Sequence, residues 1–139
     1  MELKHSQIIN APLNVVWDTT IDINNWNKWT PTVEAATLKA ETFALGSSAT
    51  LKQPGMPSTI WTVTHFQNRE KFSWKTSFLG MEMIASHHLK AVASEITENT
   101  LELEIRGIMA LLLGPIIRKK LQGALTSENE GLKKFCEKI

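Results

Sequence analysis

A chain of 139 residues with 15 Lys and Arg against 14 Asp and Glu, and 42% hydrophobic residues, has the size and make-up of one globular domain, not of a solenoid or a disordered tail. A formal net charge of +1 with interspersed signs lacks the clustered basic face that nucleic-acid binding asks for, so no nucleic-acid partner is expected. The single cysteine, Cys136, excludes an intrachain disulfide and a multi-cysteine metal site, and a cytoplasmic setting fits it best.

The first residues, Met1 to Gln7, are polar where an export signal needs a continuous apolar core, and no such signal is expected. Residues 2 to 10 alternate loosely and stop at Asn10-Ala11-Pro12, the pattern of a strand running into a helix with proline in its first turn. The helix predicted over Leu13–Thr20 gathers Leu13, Val16, Trp17 and Thr20 on one side. A second short helix from Asp22 spaces Ile23, Trp26 and Trp29 by threes and ends at Thr30-Pro31.

From Val33 to about Arg106 the chain changes to short β-branched or aromatic segments broken by Gly and Pro, which predicts an antiparallel meander of five or six strands. Pro54-Gly55-Met56-Pro57 reads as a hairpin connection within it. Phe72, Trp74, Thr76 and Phe78 alternate with Lys71, Ser73, Lys75 and Ser77. Leu101, Leu103 and Ile105 alternate with Glu102, Glu104 and Arg106. Such alternation means that one sheet face is wet and the other covered. Between them, Met81, Met83, Ala85, His87, Leu89 and Ala91 take the inward phase, and Glu82, Ser86, His88 and Lys90 the outward one. Near Trp61 the phase is ambiguous: Ile60 with Phe66 implies one face, Trp61 with Val63 the other, as a bulge between them would produce, and His65 is left unassigned.

The cover is predicted to be one helix from Pro115 to the C-terminus, with Ile117, Leu121, Ala124, Leu125, Leu132, Phe135, Cys136 and Ile139 on a stripe opposite Lys119, Glu130 and Glu137. Just before it, Gly107–Pro115 holds six apolar residues between two glycines. The run Gly107–Ile117 has about half the ~20 residues that a bilayer span needs. No transmembrane segment is expected. The run is expected to pack inside or to line a cavity entrance, and contact with a membrane or a partner is the alternative.

The order of strand, two short helices, long antiparallel sheet and terminal helix resembles the helix-grip fold of the START-like superfamily (SRPBCC). Within it, the chain resembles the polyketide cyclase/dehydrase-type small proteins. Ala11-Pro12 before Val16-Trp17, Asp22 with Trp26 and Trp29-Thr30-Pro31, Phe72-Ser73-Trp74, Ser86-His87-His88-Leu89, and Gly131 to Glu137 carry that resemblance over essentially the whole chain. It implies an α+β fold in which a curved antiparallel sheet wraps around a long C-terminal helix, residues 1–139 forming a single START-like ligand-binding domain. It also implies a largely apolar cavity, used in the superfamily for lipids, sterols, polyketides, quinones and plant hormones, with enzymes among its members. Fold alone does not choose between these uses.

In that cavity or its adjoining core the expected wall residues are Phe72, Trp74, Phe78, Met83, Leu89, Leu103 and Leu121. Trp17, Trp26 and Trp74 occupy family core positions and read as packing before ligand contact; Trp29 and Trp61 are candidate ligand contacts. Two polar residues stand out. His87 faces inward, where a lone imidazole is either satisfied by a neighbour or fixes a ligand's orientation. Because its strand neighbour His88 points the other way, the two do not ligate one ion, and no metal or cofactor is expected. Glu128 lies about 20° from Ile117 around the helix, amid the apolar stripe, where a carboxylate is costly unless paired, protonated or wetted. The bland alternative is a helix rotated enough to leave Glu128 at a wet edge.

No glycine-flanked serine elbow and no glycine-rich phosphate loop is present, and Cys136 lies on the apolar stripe. Tyrosine is absent, so cyclase chemistry relying on a phenol needs a substitute. The leading expectation is binding or carriage of a small hydrophobic molecule. The alternative is an aromatase/cyclase or dehydratase-type enzyme with His87 and Glu128 as base and acid. A protein-interaction module is the third class, favoured if Ile108–Leu113 is exposed.

Overall fold

A computed structural model describes residues 1–139. The chain begins with β1 (Glu2–Ile9), enters α1 (Leu13–Ile21) at Pro12, and turns at Asp22 into a 3-10 helix, Ile23–Lys28. It then runs as β2 (Ala35–Leu38), β3 (Ser48–Lys52), β4 (Thr59–Gln67), β5 (Lys71–Phe78), β6 (Met81–Ala93) and β7 (Ile96–Arg106), and ends in α2 (Ile108–Cys136). The sheet order is β1-β7-β6-β5-β4-β3-β2, with every pairing antiparallel. The meander from β2 to β7 is the predicted one. α1 and the 3-10 helix take the chain from one sheet edge, β1, to the other, β2, so that the last strand returns to pair with the first.

Register follows the alternation. Phe72, Trp74 and Thr76 of β5, Met81, Met83, His87 and Leu89 of β6, and Leu101, Leu103 and Ile105 of β7 are all buried on the inward face. In β4, Trp61 and Val63 point in and Ile60 out, and a register shift between Val63 and His65 then turns Phe66 toward Trp17, 5.8 Å away between ring centroids. His65 is exposed and meets Gln67 at 3.2 Å. The phase of Trp61 with Val63 is therefore the inward one before the bulge, Phe66 is inward only after it, and the expected pairing of Ile60 with Phe66 on one face does not hold.

Three details of the expected faces differ. Ala91 is exposed, because a register shift between Ala91 and Ala93 ends the phase there. Ser73, on the outer face, is nevertheless buried: its hydroxyl meets that of Ser86 at 2.7 Å across the strand pair. Ile139 lies beyond the end of α2 and is exposed.

The larger correction concerns α2, which starts at Ile108, seven residues before the predicted Pro115, and carries that proline within it. Met109-Ala110-Leu111-Leu112-Leu113 is rich in strong helix formers. Gly107, with φ +108°, makes the turn into them where a Cβ would lie 2.5 Å from the Gly80 carbonyl oxygen. Pro115 has no N–H to return to the ladder, and it is tolerated on the exposed side of the helix. The apolar run does not pack wholly inside: Ile108, Leu111, Leu112 and Ile116 are exposed, while Ala110 and Gly114 are buried.

Further along, α2 packs on β1 and β7 with Leu125, Leu132 and Cys136 buried. It approaches the end of the 3-10 helix so closely that a Cβ on Gly131 would fall 2.1 Å from the Trp29 carbonyl oxygen. That contact requires glycine.

Candidate functional site

Pairing of β5, β6 and β7 sets Phe72, His87 and Leu101 side by side across the inward face. The His87 ring stacks on Phe72 with centroids 4.4 Å apart and planes 10° from parallel. Trp26, carried in by the 3-10 helix, covers the same ring at 5.6 Å. α2 brings in Glu128, whose Oε1 lies 3.8 Å from His87 Nε2; the His87 and Glu128 side chains are 5% and 17% exposed. At that separation the two are neighbours without a direct hydrogen bond. His87 Nδ1 is buried without a partner.

The electrostatics follow from desolvation. Burial, helped by the adjacent His88, holds His87 down to about 3, and burial pushes Glu128 up to about 7. Near neutral pH the imidazole is therefore uncharged, with one donor and one acceptor nitrogen, and the carboxyl stands close to its own titration point. Such a pair can donate to and accept from a polar group between them. His88 faces the outer surface and meets Glu102 at 3.6 Å. Cys136 is buried, which raises its thiol above the ordinary range and makes it a poor nucleophile.

The aromatic candidates are packed together. Trp74 lies 5.2 Å from Trp26, 5.6 Å from Trp61 and 5.5 Å from Phe72, and Phe43 closes over Phe72 at 4.8 Å. Trp29 is buried against Trp26, its indole N–H unpartnered, whereas Trp61 gives its N–H to Thr59 Oγ1. Met83, Leu89 and Leu103 are buried, and Phe78 and Leu121 are half-buried. Concavities of about 420, 820 and 500 Å³ lie on the outer face of the sheet and beside α1, and none is lined by His87, Glu128 or these aromatics.

A second buried polar group went unread in the sequence. Asn129, fully buried on α2, donates to His5 O and Asn99 O, meets His5 Nδ1 at 2.9 Å, and accepts from Asn99 Nδ2 at 2.7 Å. It ties β1, β7 and the helix together one residue after Glu128. Both asparagines carried a signal. Asn129 falls about 120° from Ile117, just past Cys136 on the stripe, and Asn99 continues the inward phase of Leu101 and Leu103.

A family model described as "Polyketide cyclase / dehydrase and lipid transport" matches residues 1–137. No curated protein matches the chain. Among solved structures, it is similar to the hypothetical protein jhp0584 of Helicobacter pylori, with TM-score 0.85 and 11% identity over 98% of this chain and 88% of that one. It is also similar to a START superfamily protein of Mycobacterium smegmatis, with TM-score 0.83 and 13% identity over 99% and 97%. A third similar structure is the di-domain ARO/CYC protein BexL of the BE-7585A biosynthetic pathway, with TM-score 0.75 and 14% identity over 96% of this chain and 45% of that one. At such identities these structures speak for the fold alone.

Proposed function

Because the chain belongs to the polyketide cyclase/dehydrase and lipid transport family, we propose that it binds a small hydrophobic molecule between the sheet and α2, with His87 and Glu128 orienting the ligand's polar end. One observation carries this reading. A neutral imidazole and a carboxyl sit 3.8 Å apart in aromatic surroundings, close enough to share a ligand atom and too far apart to satisfy each other. Apolar burial supplies the affinity, and the two polar side chains, with the free indole N–H of Trp29, supply the orientation. The ligand enters beside Phe78 and Leu121, which are half-buried while the rings of Trp26, Phe43 and Trp74 are buried. The single buried thiol suits a cytoplasmic setting.

A second reading, an enzyme of the cyclase or dehydratase type, is favoured by the position of Glu128 near 7, the range of a general acid at neutral pH. In it the protonated Glu128 gives its proton to a bound carbonyl oxygen while His87 takes one from the neighbouring carbon, both groups reaching one centre directly or through one water.

Native mass spectrometry of the protein purified from its own host tests the first reading. The wild type is expected to retain a small apolar molecule, and Glu128→Leu to lose it by about tenfold or more without losing stability, since an apolar isostere replaces a buried carboxyl. Wild-type protein that carries nothing, or a variant that retains the molecule equally, overturns the reading. Recovery of a chemically altered molecule from wild type, but not from Glu128→Gln, selects the enzyme.

A further inference from the structure

The first turns of α2 are apolar on two sides. One side packs inward through Ala110, Gly114 and Ile117. On the other, Ile108, Leu111, Leu112 and Ile116 are 76%, 81%, 64% and 76% exposed. At 100° per residue these four, with Pro115, fall within an arc of about 140°. A surface helix ordinarily gives that arc to charged and polar residues, and a contiguous exposed apolar patch marks a contact site.

Two further features share that end of the molecule. Leu79, 65% exposed, forms the β5–β6 turn with φ +50°, a left-handed conformation that a leucine rarely takes. The adjacent Gly80 lies against Met109 of α2, so this leucine tip adjoins the helix face. Immediately past the apolar turns come Arg118, Lys119 and Lys120, all exposed and none in an ion pair. Lys119 continues the apolar face, and the other two flank it. Arg106, by contrast, is occupied by Glu104 at 2.7 Å and Glu82 at 3.9 Å. Within α2 no acidic residue precedes Glu128.

We propose that this end of the molecule, Leu79 with the Ile108–Lys120 face of α2, is a docking surface for an anionic lipid bilayer. Charge decides the occupant. An apolar face rimmed by unpaired cations matches an interfacial helix lying in the headgroup region, with leucines and isoleucines in the acyl boundary and lysines at the phosphates. A second copy of this chain docking the same helix face would bring no carboxylate to Arg118–Lys120, since within α2 none precedes Glu128. No helix of the protein is long and apolar enough to cross a membrane, so the contact is one of lying on the surface.

Sedimentation with vesicles tests it, using pure phosphatidylcholine and an equimolar mixture with phosphatidylserine. The full chain is expected to bind the anionic vesicles at least about tenfold more tightly than the neutral ones, with the preference shrinking as salt is raised. Leu111→Asn with Leu112→Asn should weaken binding to the anionic vesicles by about tenfold or more, and Arg118→Glu with Lys119→Glu should abolish the preference between the two compositions. These positions are exposed, so melting curves should match wild type. Absence of vesicle binding, equal binding to both compositions, or unchanged binding by the leucine pair overturns the proposal. So does a dimer in solution that the leucine pair dissolves. Retention of the small molecule in Glu128 variants is read separately, so failure of one proposal leaves the other standing.

Discussion

The two ends of α2 use their apolar side chains in opposite ways. From Leu125 to Cys136 the helix buries Leu125, Leu132 and Cys136, anchors Asn129 to β1 and β7, and touches the Trp29 backbone through Gly131. From Ile108 to Ile116 it turns its largest aliphatic side chains outward and keeps only small ones, Ala110 and Gly114, fully buried. A hydrophobic residue in this helix is therefore not by itself evidence of core. One end holds the fold together, and the other offers surface to something else.

The sharpest contrast is mutational. Leu132→Ala, at a side chain 1% exposed, should cost roughly 2–5 kcal/mol in denaturant unfolding. A loss under about 1 kcal/mol there would erase the distinction between the two ends.

The site at the buried end makes a prediction about pH. Glu128, raised to about 7 from 4.5, keeps its proton when folded while the unfolded chain releases it, so its contribution falls as pH rises from 4.5 through 7, by on the order of 3 kcal/mol. His87, lowered to about 3 from 6.5, acts oppositely: the unfolded chain binds the proton that the folded one refuses, so stability rises with pH from 3 to 6.5. Between 4.5 and 6.5 the two slopes cancel. Wild-type stability should be nearly flat there, Glu128→Gln should give stability rising with pH, and His87→Gln stability falling with pH. Parallel profiles in all three proteins would mean that the pair is not buried as described.

Smaller effects refine the picture. Asn129→Ala leaves the Asn99 amide and the His5 carbonyl short of partners and should cost about 1–3 kcal/mol, read from the melting transition. Leu112→Ser at the other end should change stability by no more than about 0.5 kcal/mol. A larger loss would show that the outer face is packed after all.

Much of this was legible in the chain. Two-residue alternation placed Trp74, His87 and Leu103 inward, and helical rotation put Glu128 on the stripe facing them, because both periods are enforced by backbone geometry. The start of α2 was misjudged because proline is favoured in a first turn, and a run of good helix formers ahead of it outweighed that preference. Asn99 and Asn129 were passed over because a polar residue at a core phase reads as an interruption unless its partner, 30 residues away, is known. The filling of the interior by Phe43 was beyond any periodicity, since it comes from a loop whose docking is set by tertiary contacts.

The central claim, that a neutral His87 and the Glu128 carboxyl together hold a ligand's polar end, is tested most directly by the ¹⁵N resonances of the His87 imidazole, followed through pH with and without an apolar extract of host cells. The account predicts a neutral ring that does not titrate near 6.5 and whose Nε2 resonance shifts when the extract is added. A ring that titrates in the ordinary range and ignores the extract would contradict it.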